Sequence, residues 1–224
     1  MTPAQQKGDL ASPGIVWPAF RRSLVAILRG IRTFEVEEIV GALIEEGFEA
    51  IEVPLNSPSP FTSIEKASSS FGETCLVGAG TVLSVQQVDR LSEAGGRLLV
   101  SPNVDPAVIC RGAEHGMVTM PGVFTPTEAL MAISCGASAL KFFPAGAMGS
   151  EGIAAIRTIL PPDTHVGVVG GVSQASFAQF KKVGVRLFGL GSGLYSPGDS
   201  ASDVRQRARQ IIASYDQVFF DQRR

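Results

Sequence analysis

The sequence is short of most side chains that do chemistry near neutral pH. It has two histidines, three cysteines and one tryptophan in 224 residues. Cys75, Cys110 and Cys135 are odd in number and scattered, with no CxxC or metal-ligand spacing. Neither a disulfide framework nor a thiolate metal site is expected, and a reducing cytoplasm suits them best. No charge sign dominates. A net charge of −2 gives no reason to expect nucleic acid or an anionic membrane as a partner. No apolar run approaches the ~20 residues that span a bilayer. Arg21-Arg22 resembles the start of a twin-arginine signal, but only Leu24 to Leu28 follow as an apolar block. That is too short for a signal core, and a strand is expected there instead. Hydrophobic residues make up 45% and charged residues 18%, which excludes a disordered chain and supports one large domain with its own core.

What is present is a repeated unit. A helical stretch ends in glycine and an apolar run follows at once. The unit occurs at EEGFEAIEV (Glu45 to Val53), EAGGRLLVS (Glu93 to Ser101), EHGMVTMP (Glu114 to Pro121), SCGASALKF (Ser134 to Phe142) and KVGVRLFGL (Lys182 to Leu190). A helix commonly closes through a left-handed residue, which glycine adopts without steric cost. Eight apolar runs begin near Leu24, Glu49, Cys75, Arg97, Met117, Ser138, His165 and Arg186. Between them lie helix-start signals. Ser84 with Gln87 and Thr125 with Glu128 read as capping boxes; Ser59-Pro60 and Asp105-Pro106 read as an N-cap followed by proline. Phe34, Val36, Ile39, Val40, Leu43 and Ile44 have helical spacing. Eight strands alternating with helices predict a parallel sheet with covered faces. A single (β/α)₈ TIM barrel over residues 23–224 is expected, behind a tail or lead-in helix at 1–22. An open doubly wound sheet is the alternative, but no Gly-rich dinucleotide turn follows the first strand.

In such a barrel, chemistry sits where strands end. Both histidines fall elsewhere, His115 at a helix end and His165 at a strand start. Carboxylates are sparse on that rim. Asp105, Glu128 and Glu151 belong to first helical turns, where the helix dipole accounts for them. Only Glu52 lies in a strand near its end, so an oxygen cage for a hard cation does not assemble. Of five lysines, Lys7 is in the tail, Lys66 on a helix, and Lys181 and Lys182 at a helix end. Lys141, in ALKFFPAG, is in a strand. Alternation puts Ala139 and Lys141 on one face and Leu140 and Phe142 on the other; it likewise groups Ala50 with Glu52. A desolvated lysine is a nucleophile toward carbonyls, because burial favours the neutral amine. A nearby carboxylate opposes that shift, so Glu52 must stand a water's distance away or be protonated for part of the cycle. The alternative is a buried Lys141–Glu52 ion pair that only holds the barrel together.

The glycines of VGGV (Val169 to Val172) and GLGSG (Gly189 to Gly193) leave room for backbone N–H groups to approach an anion, with helix N-termini behind them; they equally suit ordinary turns. Arg29 shares a face with Val25 and Ile27, as an anion contact or a surface charge. Thr81, closing GAGT, either meets a substrate carboxylate or caps the following turn.

Taken together, EVPLNS, GAGTV, SPN, ALKFFPA, VGGV and GLGS, in that order, resemble the class I aldolases for 2-keto-3-deoxy-6-phospho sugar acids, most densely from Leu24 to Tyr195. The resemblance implies a (β/α)₈ barrel, a homotrimer and no metal cofactor. It implies that Lys141 forms a Schiff base with a C2 ketone and that Glu52 is the general acid/base, acting through water. Thr81 would hold the pyruvate carboxylate. Gly170, Gly171, Gly191 and Ser192 would hold the phosphate end, and Phe143 would line the lumen. Gluconate-type members carry Arg where Asn56 stands and Thr where Val169 stands, so Asn56, Val169 and Arg29 resemble the galactonate-type branch. The expected reaction is cleavage of 2-keto-3-deoxy-6-phosphogalactonate to pyruvate and D-glyceraldehyde 3-phosphate. A gluconate-type or dual-epimer enzyme and a non-catalytic sugar-phosphate binding barrel are the alternatives. An epimerase would need two opposed acid/base groups or a metal, and only one carboxylate is available.

Overall fold

The computed structural model describes residues 14–221; Lys7 and the rest of 1–13 lie outside them. The strands are β1 (Leu24–Ile27), β2 (Ala50–Pro54), β3 (Leu76–Gly80), β4 (Leu98–Val100), β5 (Val118–Met120), β6 (Gly122–Val123), β7 (Leu140–Phe142), β8 (Val166–Val169) and β9 (Leu187–Leu190). The helices are α1 (Val36–Glu45), α2 (Pro60–Phe71), α3 (Val85–Glu93), α4 (Pro106–Glu114), α5 (Pro126–Ser134), α6 (Ala145–Arg157), α7 (Phe177–Lys182) and α8 (Ala201–Phe219). All pairings are parallel, in the order β5-β4-β3-β2-β1-β9-β8-β7-β6. The fifth expected strand is broken at Pro121, which has no N–H for a ladder, into β5 and β6. The two ends of the sheet are therefore one continuous stretch of chain, and the sheet is a single (β/α)₈ barrel.

Strand alternation sorts the core into two layers. Ile51, Val53, Leu140, Phe142, Val166 and Val168 face the helices. Val25, Ala50, Leu98, Val100, Val118, Met120, Ala139 and Leu187 face inward and fill the lower lumen around Trp17. Burying such side chains stabilises the fold by roughly 1.5–3 kcal/mol each.

All five glycine turns form. Gly47, Gly95, Gly116, Gly136 and Gly184 have φ of 102°, 74°, 69°, 82° and 76°. Each turn closes with the same pair of bonds, as in Gly47 N–H to the Ile44 carbonyl (2.9 Å) and Phe48 N–H to the Leu43 carbonyl (3.0 Å). This is the Schellman arrangement.

The helix starts depart in part from expectation. Thr125 and Glu128 make a full capping box, and the Asp105 carboxylate accepts from the Ala107 and Val108 N–H groups. Ser84 accepts from the Gln87 N–H, but Gln87 returns its bond to Leu83 instead of Ser84, so only half a box forms. Ser59 does not cap α2: it is held left-handed (φ 42°), and its side chain makes no cap bond. Phe34 lies before α1 and is exposed, with the Arg32 guanidinium 4.6 Å from its ring centre, so it is not part of the buried helix face.

The lead-in also differs. Residues 14–20 form no helix; they run beneath the barrel, where Trp17 is only 4% exposed. Arg22 then pairs with both carboxylate oxygens of Asp216 at 2.6 and 2.5 Å. Among the described residues no helix is long and apolar enough to cross a membrane.

Candidate active site

Lys141 is the middle residue of β7 and Glu52 the middle residue of β2. Parity turns both into the lumen above the apolar layer that contains Ala139 and Ala50. Lys141 is 6% exposed and Glu52 4%. Burial pushes the Lys141 amine down to about 8; the Glu52 carboxylate opposes the fall and Arg29 adds to it. Burial pushes Glu52 up to about 7, against the pull of Lys141 and then Arg29. Glu52 Oε2 is buried with no hydrogen-bond partner, so the pair interact through space and not as a closed ion pair. Near neutral pH each group is poised to give or take a proton.

Gly80 makes this possible. A Cβ there would lie 1.3 Å from Glu52 Oε2. Its neighbour Thr81 takes φ of 59°, a conformation that β-branched residues rarely adopt. That strain, at the end of β3, turns the chain sharply beside Glu52's strand.

Arg29 and Asn56 meet. Arg29 Nη1 donates to Asn56 Oδ1 at 2.6 Å, joining the loops after β1 and β2 across the mouth. Beneath them the Gly30 N–H donates to Ser57 Oγ at 2.9 Å. Arg29 is exposed, so its remaining donors are open to solvent or a ligand.

Phe143 stands at the mouth, 37% exposed, and not deep in the lumen. Its ring centre is 5.1 Å from Lys141 Nζ. Gly170 (φ 85°) lies under the same ring, where a Cβ would come within 3.1 Å of it. Gly171 follows with φ of 72°. Val169 points inward beside Ile27: a Cβ on Gly189 would meet both, at 2.5 and 3.2 Å. Gly191 and Ser192 open the loop after β9, where the Gly191 carbonyl accepts from Leu194 and Tyr195 N–H. Ser192 is exposed, and Gly191 has open space where a Cβ would be. The expected helix N-termini behind these glycines form only in part. After β8 a 3-10 turn (Gln174–Ser176), with Ser173 at its N-cap, leads into the six-residue α7, whereas after β9 only turns precede α8, which begins at Ala201.

The histidines lie away from this mouth. His115 caps α4 and its Nε2 is 2.8 Å from Asp89 Oδ1; His165 sits at the start of β8. Among the described residues, no group of three His, Cys, Asp or Glu side chains is placed to hold a metal ion. Sequence reasoning missed Gly80 and the Arg29–Asn56 bond. The signal for Gly80 was its parity with Glu52, but reading it needed the β2–β3 register.

The family model "Aldolase: KDPG and KHG aldolase" matches residues 20–208. The chain is 60% identical to the probable 2-dehydro-3-deoxy-6-phosphogalactonate aldolase of Rhizobium meliloti (strain 1021), over 90% of this chain and 95% of that protein. It is 44% identical to the 2-dehydro-3-deoxy-6-phosphogalactonate aldolase of Escherichia coli (strain K12), over 86% and 94%. A solved structure described as native KDPGal superposes with a TM-score of 0.88 at 42% identity, over 91% of this chain and 98% of that one. With a buried lysine and carboxylate facing one another in the same barrel, the chain belongs to the KDPG and KHG aldolase family.

Proposed function

We infer that this protein is a class I aldolase that reversibly cleaves 2-dehydro-3-deoxy-6-phosphogalactonate to pyruvate and D-glyceraldehyde 3-phosphate. The observation that carries the reading is Lys141, buried in the lumen, shifted down to about 8, and facing a carboxyl raised to about 7. The neutral Lys141 amine attacks the C2 ketone, and the carbinolamine loses water to give an iminium. Glu52, through water, takes the C4 hydroxyl proton; the C3–C4 bond breaks and its electron pair moves into the iminium. Glyceraldehyde 3-phosphate leaves, the enamine is protonated at C3, and water releases pyruvate from Lys141.

Thr81 holds the pyruvate carboxylate, and Phe143 covers the reacting carbon. Gly170, Gly171, Gly191 and Ser192 present backbone N–H groups to the phosphate. Arg29, steadied by Asn56, orients an anionic or hydroxyl group at the mouth. Val169 offers an apolar surface where the gluconate branch carries a hydroxyl, which favours one C4 epimer. The protein works as a homotrimer in the cytoplasm. Its three free cysteines suit that compartment, and the exposed Phe124, Leu130 and Met131 on and before α5 are apolar surface for a subunit contact.

Borohydride reduction with pyruvate, followed by peptide mapping, tests the chemistry. A pyruvyl adduct on Lys141 is expected. Its absence in folded protein would leave Lys141 a structural partner of Glu52 and favour a sugar-phosphate binding barrel. Values of kcat/KM on both epimers separate a galactonate enzyme from a gluconate-type or dual-epimer one.

A further inference from the structure

A second concave site lies on the opposite rim, where the strands begin. Arg186 immediately precedes β9, His165 precedes β8, and Arg157 ends α6. All three line a cavity of about 240 Å³ closed on one side by Trp17 and Phe20. The hydroxyl residues Ser23 and Thr164 line it too, and among the described residues no carboxylate does. The acidic residue closest in sequence, Asp163, lines a neighbouring cavity of about 480 Å³ that shares Trp17, Thr164 and His165 with this one.

The two arginines are held in place without being neutralised. Arg157 Nη1 donates to the Gly184 carbonyl at 2.7 Å, which uses one of five guanidinium donors. Arg186 lies with its guanidinium 5.5 Å from the Phe219 ring centre. Among the described residues, neither belongs to any of the nine ion pairs. A different observation points the same way. The Trp17 indole N–H is buried with no acceptor. Buried donors are ordinarily satisfied, so the packing of Trp17, which forms one wall of this cavity, leaves a donor without a partner. Two arginines line the cavity, and among the described residues no carboxylate does.

We propose that this cavity binds a small oxyanion ligand, a phosphate ester or polycarboxylate of metabolite size, separately from the catalytic mouth. Guanidinium groups match the planar spacing of such oxygens. The volume is below the ~300 Å³ at which pockets for drug-sized ligands begin, which limits the ligand to a small one.

The experiment uses Trp17, the only tryptophan, as the reporter. The full chain is titrated with inorganic phosphate and, separately, with citrate, at ionic strength held constant with KCl. Tryptophan emission should change saturably with at least one anion, and the responding anion identifies the ligand class. Arg186→Gln should weaken that response by about tenfold or more, while aldol cleavage is unchanged, which shows the variant is folded. Arg157→Gln should act likewise. Lys141→Ala should keep the response. The proposal is overturned if neither anion changes the emission beyond the KCl control. It is also overturned if the response survives in both arginine variants or disappears in Lys141→Ala.

Discussion

Where helices hand over to strands, five turns are built alike; where strands hand over to helices, the loops differ from one another. The first rim repeats one glycine with one pair of backbone bonds, at Gly47, Gly95, Gly116, Gly136 and Gly184. Among the described residues, the second rim holds both left-handed non-glycine residues, Ser59 and Thr81, the adjacent left-handed pair Gly170 and Gly171, and the buried Lys141 and Glu52. Uniform turns recur because they serve only to reverse the chain at low cost. Irregular, strained and desolvated features gather on the other rim, where the proposed chemistry takes place. On the proposed mechanism, stability and activity are largely separated by rim.

The largest break in that separation is Lys141→Ala. Turnover should fall on the order of 10⁴-fold or more, with the circular dichroism spectrum unchanged. Glu52→Gln comes next, with kcat reduced roughly 10²–10⁴-fold. Its stability effect has a defined sign. The folded carboxyl holds its proton up to about 7, whereas the unfolded one ionises near 4.5. The wild type therefore keeps this contribution below 4.5 and loses it as pH rises to 7, by up to about 3 kcal/mol. Denaturant midpoints of both proteins at pH 5 and pH 7.5 should show Glu52→Gln gaining on the wild type at the higher pH. Gly80→Ala forces the Glu52 side chain aside, and kcat/KM should drop by about 10²-fold, since a displacement near 1 Å is enough.

Two smaller changes sharpen the comparison. Val169→Thr should shift the ratio of kcat/KM for the two epimers by about tenfold toward gluconate. Gly116→Ala, on the uniform rim, has free space for its Cβ but a φ of 69°. It should cost about 1–2 kcal/mol in urea unfolding through backbone strain alone, with kcat/KM unchanged.

The same division explains what the sequence disclosed. The five turns were legible because each is made within six consecutive residues. Lys141 and Glu52 were legible through strand parity and the scarcity of other candidates. Gly80's role was not, because it depends on a side chain from the neighbouring strand. The Arg29–Asn56 bond joins residues 27 positions apart, and no local pattern encodes it. Ser59 was misread because the loop conformation overrode a local capping signal. Trp17 gave no periodic signal at all, since it packs with inward-facing residues from strands far apart in the sequence.

Trp17 also sets the order of traffic. With the lower end stoppered, the barrel is a blind well with one opening, past Arg29 and Phe143. On the proposed mechanism pyruvate is tethered at the floor and the aldehyde lies above it, so the aldehyde leaves first and pyruvate last. In the synthetic direction the sequence reverses: pyruvate loads first, and the aldehyde then closes over it.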